Sequence, residues 1–109
     1  MLGELLVQPT VTTLTLHGEL DLVTVERLRR LLERACDGAP LRVVIDLSDV
    51  PFVDVLSLST ILATADAVRE RGASLLVVGA SPAVRRMCEI LNASDVLAPA
   101  LPMPRVAAR

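Results

Sequence analysis

The chain has 109 residues, 52% of them apolar, a formal net charge of -2 and a single aromatic ring, Phe52. That length holds one folded domain with an ample core, so residues 1–109 are read as a single unit. All of its cations are Arg, and with no basic stripe to displace counterions the composition argues against nucleic acid. One ring excludes a base-stacking platform. No apolar run approaches the ~20 residues of a spanning helix, so direct membrane insertion is not expected. Leu2 to Val7 lacks the basic flank of a signal peptide, which leaves the cytoplasm as the expected compartment.

In chain order, Leu5-Leu6-Val7-Gln8 reads as a short strand and Pro9-Thr10 as a turn. Val11 to His17 then alternates Thr12, Leu14 and Leu16 against Thr13, Thr15 and His17, the period of a half-buried strand. The two make an opening hairpin. His17 falls on the polar side with no nucleophile or ligand set beside it, so a solvent-facing or strand-edge place is expected. A turn over Gly18 to Val23 leads into a helix with Thr24 as N-cap and Glu26 in its first turn. Val25, Leu28, Leu31, Leu32 and Ala35 form its buried face, and Gly38 ends it. Glu26, Arg29, Arg30, Glu33 and Arg34 lie mostly opposite as a solvated face, their pairs adding about 0.3 kcal/mol each.

The run Leu41 to Leu47 is short, β-branched and apolar at adjacent positions, which predicts a strand covered on both faces. A loop from Ser48 to Val55 follows. Leu58, Ile61, Leu62, Ala65 and Val68 then recur on one helical face, with Gly72 as the stop. A loop between the carboxyl end of a buried strand and a helix N-terminus favours recognition, so function is expected there. Ser74 to Val78 predicts another buried strand. Ser81-Pro82 predicts an N-cap and first residue of a helix whose inner face is Val84, Met87, Cys88 and Leu91. Arg85-Arg86 reads as solvated surface and Val96-Leu97 as a short last strand. Pro99, Pro102 and Pro104 argue against a long terminal helix, and Arg105 to Arg109 is expected to fray. The resulting fold class is α/β, a mostly parallel mixed sheet with an N-terminal antiparallel edge and right-handed crossover helices.

Much chemistry is missing. There is no Gly-rich phosphate loop and no cluster at metal spacing, so no cofactor and no metal are expected. Cys36 and Cys88 read as small buried hydrophobes. With no Tyr, Trp or Lys and one His, acid–base groups reduce to carboxylates. Asp46 and Asp54 are accounted for by strand-end hydrogen bonding and N-capping. The chain does not read as an enzyme.

Gly18-Glu19-Leu20-Asp21, Val43-Val44-Ile45-Asp46-Leu47-Ser48 and Phe52-Val53-Asp54 together resemble the STAS domain of bacterial anti-sigma-factor antagonists. Arg71-Gly72-Ala73-Ser74-Leu75 and the Ser81-Pro82 helix are similar as well. The resemblance covers about residues 5–97 and leaves 98–109 as a Pro-containing tail. It implies a partner-binding module: unphosphorylated, the domain holds a kinase-type anti-sigma factor, and phosphorylation of a Ser at the helix start releases it. The family's loop reads Phe-Ile-Asp-Ser-Ser-Gly-Leu-Gly. Aligned to it, Asp54 matches the Asp, but the phosphosite is Val55, the second Ser is Leu56, and the two Gly are Ser57 and Ser59. Val55 has no hydroxyl to take a phosphate.

The resemblance thus implies an antagonist-like module that docks an anti-sigma factor, a kinase-like ATPase, without the usual switch. Asp21 and Asp54 would be its polar contacts, and Val55, Leu56 and Ser57 its docking tip. From the residues alone, tucking of Val55 and Leu56 into the core under Phe52 is an equal alternative. Ser57 and, after it, Ser59 are the alternative phosphosites, Ser57 ranking first as the nearer to the loop. Two further roles fit a degenerate phosphosite: the STAS accessory subunit of an ABC-type lipid-trafficking transporter, bound to its ATPase subunit, and a non-phosphorylatable scaffold of a stress-sensing complex.

Overall fold

Alternation of apolar and polar residues builds the sheet. The computed structural model describes residues 2–98. Its strands are β1 (Gly3–Val7), β2 (Val11–His17), β3 (Arg42–Asp49) and β4 (Ser74–Val78), and its helices α1 (Val25–Ala35), α2 (Val55–Glu70) and α3 (Pro82–Ile90). The spatial order is β1-β2-β3-β4, with β1 antiparallel to β2 and the remaining pairs parallel. This is the α/β class expected, with the antiparallel edge at the N-terminal side. The readings for the Pro-rich segment 99–109 lie outside the described residues.

Register aligns one apolar row on each strand. Thr12 sits beside Val43 and Val43 beside Leu75, while Leu14, Ile45 and Val77 form the next rank. These side chains are buried, and Leu28 and Leu32 of α1, Leu58, Ile61, Ala65 and Val68 of α2, and Val84 and Cys88 of α3 complete the same cluster. The opposite face, with Thr13, Thr15, Val44, Asp46, Leu76 and Val78, is half-buried. Here β3 departs from expectation: it is fully covered on one face only. Adjacent apolar residues Val43 and Val44 suggested two-sided burial, but the helices layer against a single side.

Local chemistry sets the element ends. Asp54 Oδ1 accepts the Ser57 N–H at 2.7 Å and caps α2, and Ser81 Oγ accepts the Val84 N–H at 3.2 Å and caps α3 with Pro82 at the first turn. Gly72 follows the α2 C-cap at φ +83°, a left-handed conformation that glycine adopts without strain. Gly79 ends β4 at φ +71°, where a Cβ would stand 2.7 Å from Ser48 Cβ, so a side chain there would push β3 and β4 apart. Thr24 occupies the α1 N-cap position but makes no capping bond; its hydroxyl turns back to Glu19 O instead. Leu31 is only partly buried and Leu91, expected on the inner face of α3, is exposed. The expected last strand at Val96-Leu97 is a 3₁₀ turn (Ser94–Val96), and Leu97 forms only an isolated bridge to Val77.

Ile45 lies at the centre of the covered face with no exposed surface. Truncation to Ala removes three carbons from a packed site and is expected to cost about 2–5 kcal/mol. Denaturant unfolding of Ile45→Ala beside the parent measures this, and an unchanged midpoint would contradict the central placement.

Candidate functional site

Two loops leave the same end of the sheet, because β2 and β3 are parallel. Residues 18–24 connect β2 to α1, and residues 50–54 connect β3 to α2. They are hydrogen-bonded to one another. Leu20 N–H donates to Phe52 O at 2.9 Å, Asp54 N–H donates to Leu20 O at 2.9 Å, and Leu20 and Val53 form a parallel bridge. Both bridge side chains are buried, so each loop is anchored beside the core.

Within the first loop, Asp21 Oδ1 accepts from Val23 N–H at 3.0 Å and Thr24 N–H at 3.2 Å, and Thr24 Oγ1 accepts from Asp21 N–H at 3.0 Å. This is an Asp-centred turn that holds the backbone locally. With Leu20 turned inward and the turn closed, Leu22 and Val23 stand 73% and 83% exposed. In the second loop Val53 turns inward and Asp54 caps α2, leaving Phe52, Val55 and Leu56 exposed by 51%, 56% and 47%. Five large apolar side chains therefore face solvent on the two linked loops and the first turn of α2. Exposed apolar patches on a small protein mark interaction sites.

The sequence-predicted residues separate here. Val55 and Leu56 face outward rather than into the core, and Phe52 does too. Asp21 and Asp54 sit at the two loops' turns, each half-buried and each with Oδ1 engaged by backbone. Ser57 is a different matter: it is fully buried, and its hydroxyl makes no hydrogen bond among the described residues. It does not belong to the exposed tip. Its rank above Ser59 as an accessible hydroxyl is reversed too, since Ser59 is exposed. A signal existed in the spacing: Ser57 lies four residues before the inward-facing Ile61, on the same side of the helix. Leu22, Val23 and Phe52 were not singled out for the tip, because apolar residues in turn segments carry no periodicity that marks exposure.

Charge gathers just below the loops. His17 closes β2, its Nδ1 2.7 Å from Asp49 Oδ2 on β3 and its Nε2 against Glu4 on β1, so one imidazole joins three strands. Gly18 N–H donates to Asp49 O at 3.3 Å beside a register irregularity between Thr15 and His17. Asp46 Oδ1 accepts from Ser48 N–H and from the Ser48 hydroxyl, but within β3 rather than at its end, because the strand runs on to Asp49. Cys36 and Cys88 are free thiols, half-buried and buried, and burial pushes the Cys88 pKa up. Among the described residues no group of three or more His, Cys, Asp or Glu is arranged to hold a metal ion, and no helix is long and apolar enough to cross a membrane.

The STAS domain family matches residues 4–105, and the chain belongs to that family. Its fold is accordingly that of modules that are in general regulatory rather than catalytic. An anti-sigma factor antagonist from Mycobacterium paratuberculosis is similar at 27% identity with a TM-score of 0.79, covering 91% of this chain and 86% of its own. The Bacillus cell fate determinant SpoIIAA in its phosphorylated form is similar in fold at 20% identity, TM-score 0.73 and 92% coverage of both chains. A sulfate transporter family protein from Wolinella succinogenes shares the fold at 16% identity and TM-score 0.68, with 84% of this chain and 79% of that one covered.

The hydrogen bonds to Asp49 and then Glu4 raise the His17 pKa above its ordinary value of 6.5. A folded-state pKa above the unfolded one stabilises the fold fully below the unfolded value, and that stabilisation is lost as pH rises through the folded value. Comparison of the parent with His17→Gln is therefore expected to show the largest stability gap at pH below 6.5. The gap should narrow toward alkaline pH. Urea titrations across that range check it, and a gap that widens with pH would contradict the linkage.

Proposed function

We propose that the protein is an anti-sigma-factor antagonist-like regulator that docks its partner through the two linked loops, without phosphate control at position 55. The observation that carries this reading is the exposed apolar tip of Leu22, Val23, Phe52, Val55 and Leu56. Likeness to an anti-sigma factor antagonist at 27% identity supports an anti-sigma factor as the class of partner, and the resemblance of the loop motif implies one of the kinase-like ATPase type. The loops are held by the Leu20–Val53 bridge and two Asp-capped turns, so little ordering entropy remains for docking. Asp21 and Asp54 use Oδ1 internally, and Oδ2 of each, next in the chain to Leu22 and Val55, would serve as an acceptor for partner donors. The free thiols fit a cytoplasmic setting.

Val55 is the first residue of α2, where backbone N–H groups would accommodate a phosphate. In this protein the position carries an apolar side chain instead. Placing a group of ~1.5–2 negative charges there would disfavour an apolar interface through desolvation, and Val removes that possibility. Docking then persists while kinase and ATP are present.

Two expectations follow from this geometry. Leu56→Asp should weaken binding to the anti-sigma partner by roughly tenfold or more, because it buries a charge in the apolar contact. Asp21→Asn keeps the Oδ1 acceptor of the turn, so a loss of affinity without loss of fold would report the charge itself. Calorimetric titration of each variant decides both, and an affinity equal to the parent's for Leu56→Asp would refute docking at the tip. For the switch, Val55→Ser incubated with kinase-type partner and ATP should gain one phosphate, a mass shift of ~80 Da, and release the partner. The parent should show no shift on intact-mass spectrometry; a phosphate on Ser59 of the parent would overturn phosphate insensitivity.

A further inference from the structure

β1 is an edge strand, and its pairing with β2 determines which of its backbone groups are free. His17 N–H donates to Leu2 O at 2.7 Å, and Gln8 N–H donates to Val11 O at 2.9 Å. In an antiparallel ladder the bonded residues alternate, so Leu2, Glu4, Leu6 and Gln8 turn their backbone groups toward β2. The N–H and C=O groups of Gly3, Leu5 and Val7 consequently face outward. The strand has no Lys and no Pro, its one charged side chain, Glu4, is engaged by His17, and Leu6 and Val7 are 59% and 69% exposed.

Beside that edge runs α1. Arg27, Arg30 and Arg34 lie at successive turns of one helix face, and with Leu31, Leu2 and Gly3 they line a concavity of about 320 Å³ between the helix and the strand. From the sequence this segment read as a solvated mixture of charges. Folded, Glu26 is engaged by Arg29 on the neighbouring face. Arg27, Arg30 and Arg34 have no acceptor among the described residues, unlike Arg29, Arg69, Arg71 and Arg85. In a chain of net charge -2 this is a local reversal of sign. Gly3 lies tight against β2 at the foot of this concavity, since a Cβ there would stand 2.7 Å from Thr15 O and 2.9 Å from Leu16 Cδ2.

The spacing selects the ligand. Seven residues of helix at ~1.5 Å each spread Arg27, Arg30 and Arg34 over ~10 Å along the axis, a row of cations rather than a single point. An extended chain places same-face side chains ~6.8 Å apart, so successive carboxylates of an acidic strand span the ridge. Guanidinium groups bind carboxylates by paired hydrogen bonds, which suits that contact. A second copy of this chain does not fit. Two β1 edges joined antiparallel would form one continuous sheet with both α1 helices on the same face, bringing the two arginine ridges together.

We propose that the β1 edge and the α1 arginine ridge form a docking site for an extended acidic peptide segment of a partner protein. The segment adds as a fifth strand beside β1, takes up the outward backbone groups of Gly3, Leu5 and Val7, and presents alternate carboxylates to Arg27, Arg30 and Arg34. The site is separate from the apolar tip and does not depend on it.

A fluorescent peptide of about eight alternating Glu and Thr residues, the length of an ordinary strand, is the probe, with a Lys–Thr peptide as its control. Anisotropy titration of the full chain should show the acidic peptide binding at least roughly tenfold tighter than the basic one, and more weakly as salt rises. The variant carrying Arg27→Gln, Arg30→Gln and Arg34→Gln should lose that preference, while Leu56→Asp should keep it. Hydrogen exchange on the complex should slow at Gly3, Leu5 and Val7. Equal affinity for both peptides, which needs no variant, would overturn the proposal, as would unaltered exchange at those three amides. Sedimentation with phosphatidylserine vesicles but no peptide binding would overturn it in favour of a lipid surface.

Discussion

Ile45 has Val43 and Leu47 two residues to either side on the same face, and all three are buried where β3 runs between β2 and β4. That one-sided burial constrains the rest. The apolar ranks of β2 and β4 must align with it, because a slip of one residue would turn every buried side chain to the open face. Parallel pairing then sends the carboxyl ends of β2 and β3 to one end of the sheet, and both connections to helices begin there. The loops are neighbours because the strands are.

What distinguishes those loops is how little of their apolar surface is used internally. Leu20 and Val53 supply the anchoring, and the backbone bonds between the loops replace the side-chain contacts that would otherwise hold them. Phe52, Leu22, Val23, Val55 and Leu56 are left over. Holding five such groups in water forgoes on the order of 25 cal/mol for each Å² that could be buried. In the proposed docking, a partner surface would recover that free energy and drive the contact. The carboxylates at the turns serve the loops, since each accepts backbone N–H groups.

Polar chemistry elsewhere is also structural in origin. The imidazole of His17 bridges carboxylates from the strands on either side, directly where β2 gives way to the first loop. It links the edge strand to the base of the two loops. Ser57 shows the reverse situation. Its N–H completes the α2 cap, while its hydroxyl is drawn into the core by helix geometry and finds no partner there.

The sequence by itself determined the element types and much of their order, because periodicity reflects a local rule. The alternation of Val11 to His17, the Ser81-Pro82 start and the Asp54 cap needed no knowledge of distant residues. The family resemblance likewise rested on short segments in order, and the match over residues 4–105 agrees with it. Tertiary structure alone decided the rest. Whether Val43 and Val44 were both covered depended on which side the helices took. Whether Val55 and Leu56 turned inward depended on Val53 and Leu20 occupying the inner positions first. The line of Arg27, Arg30 and Arg34 against Gly3 joins residues from opposite sides of a hairpin and a turn. These outcomes turn on competition for one buried face, and no local pattern records the winner.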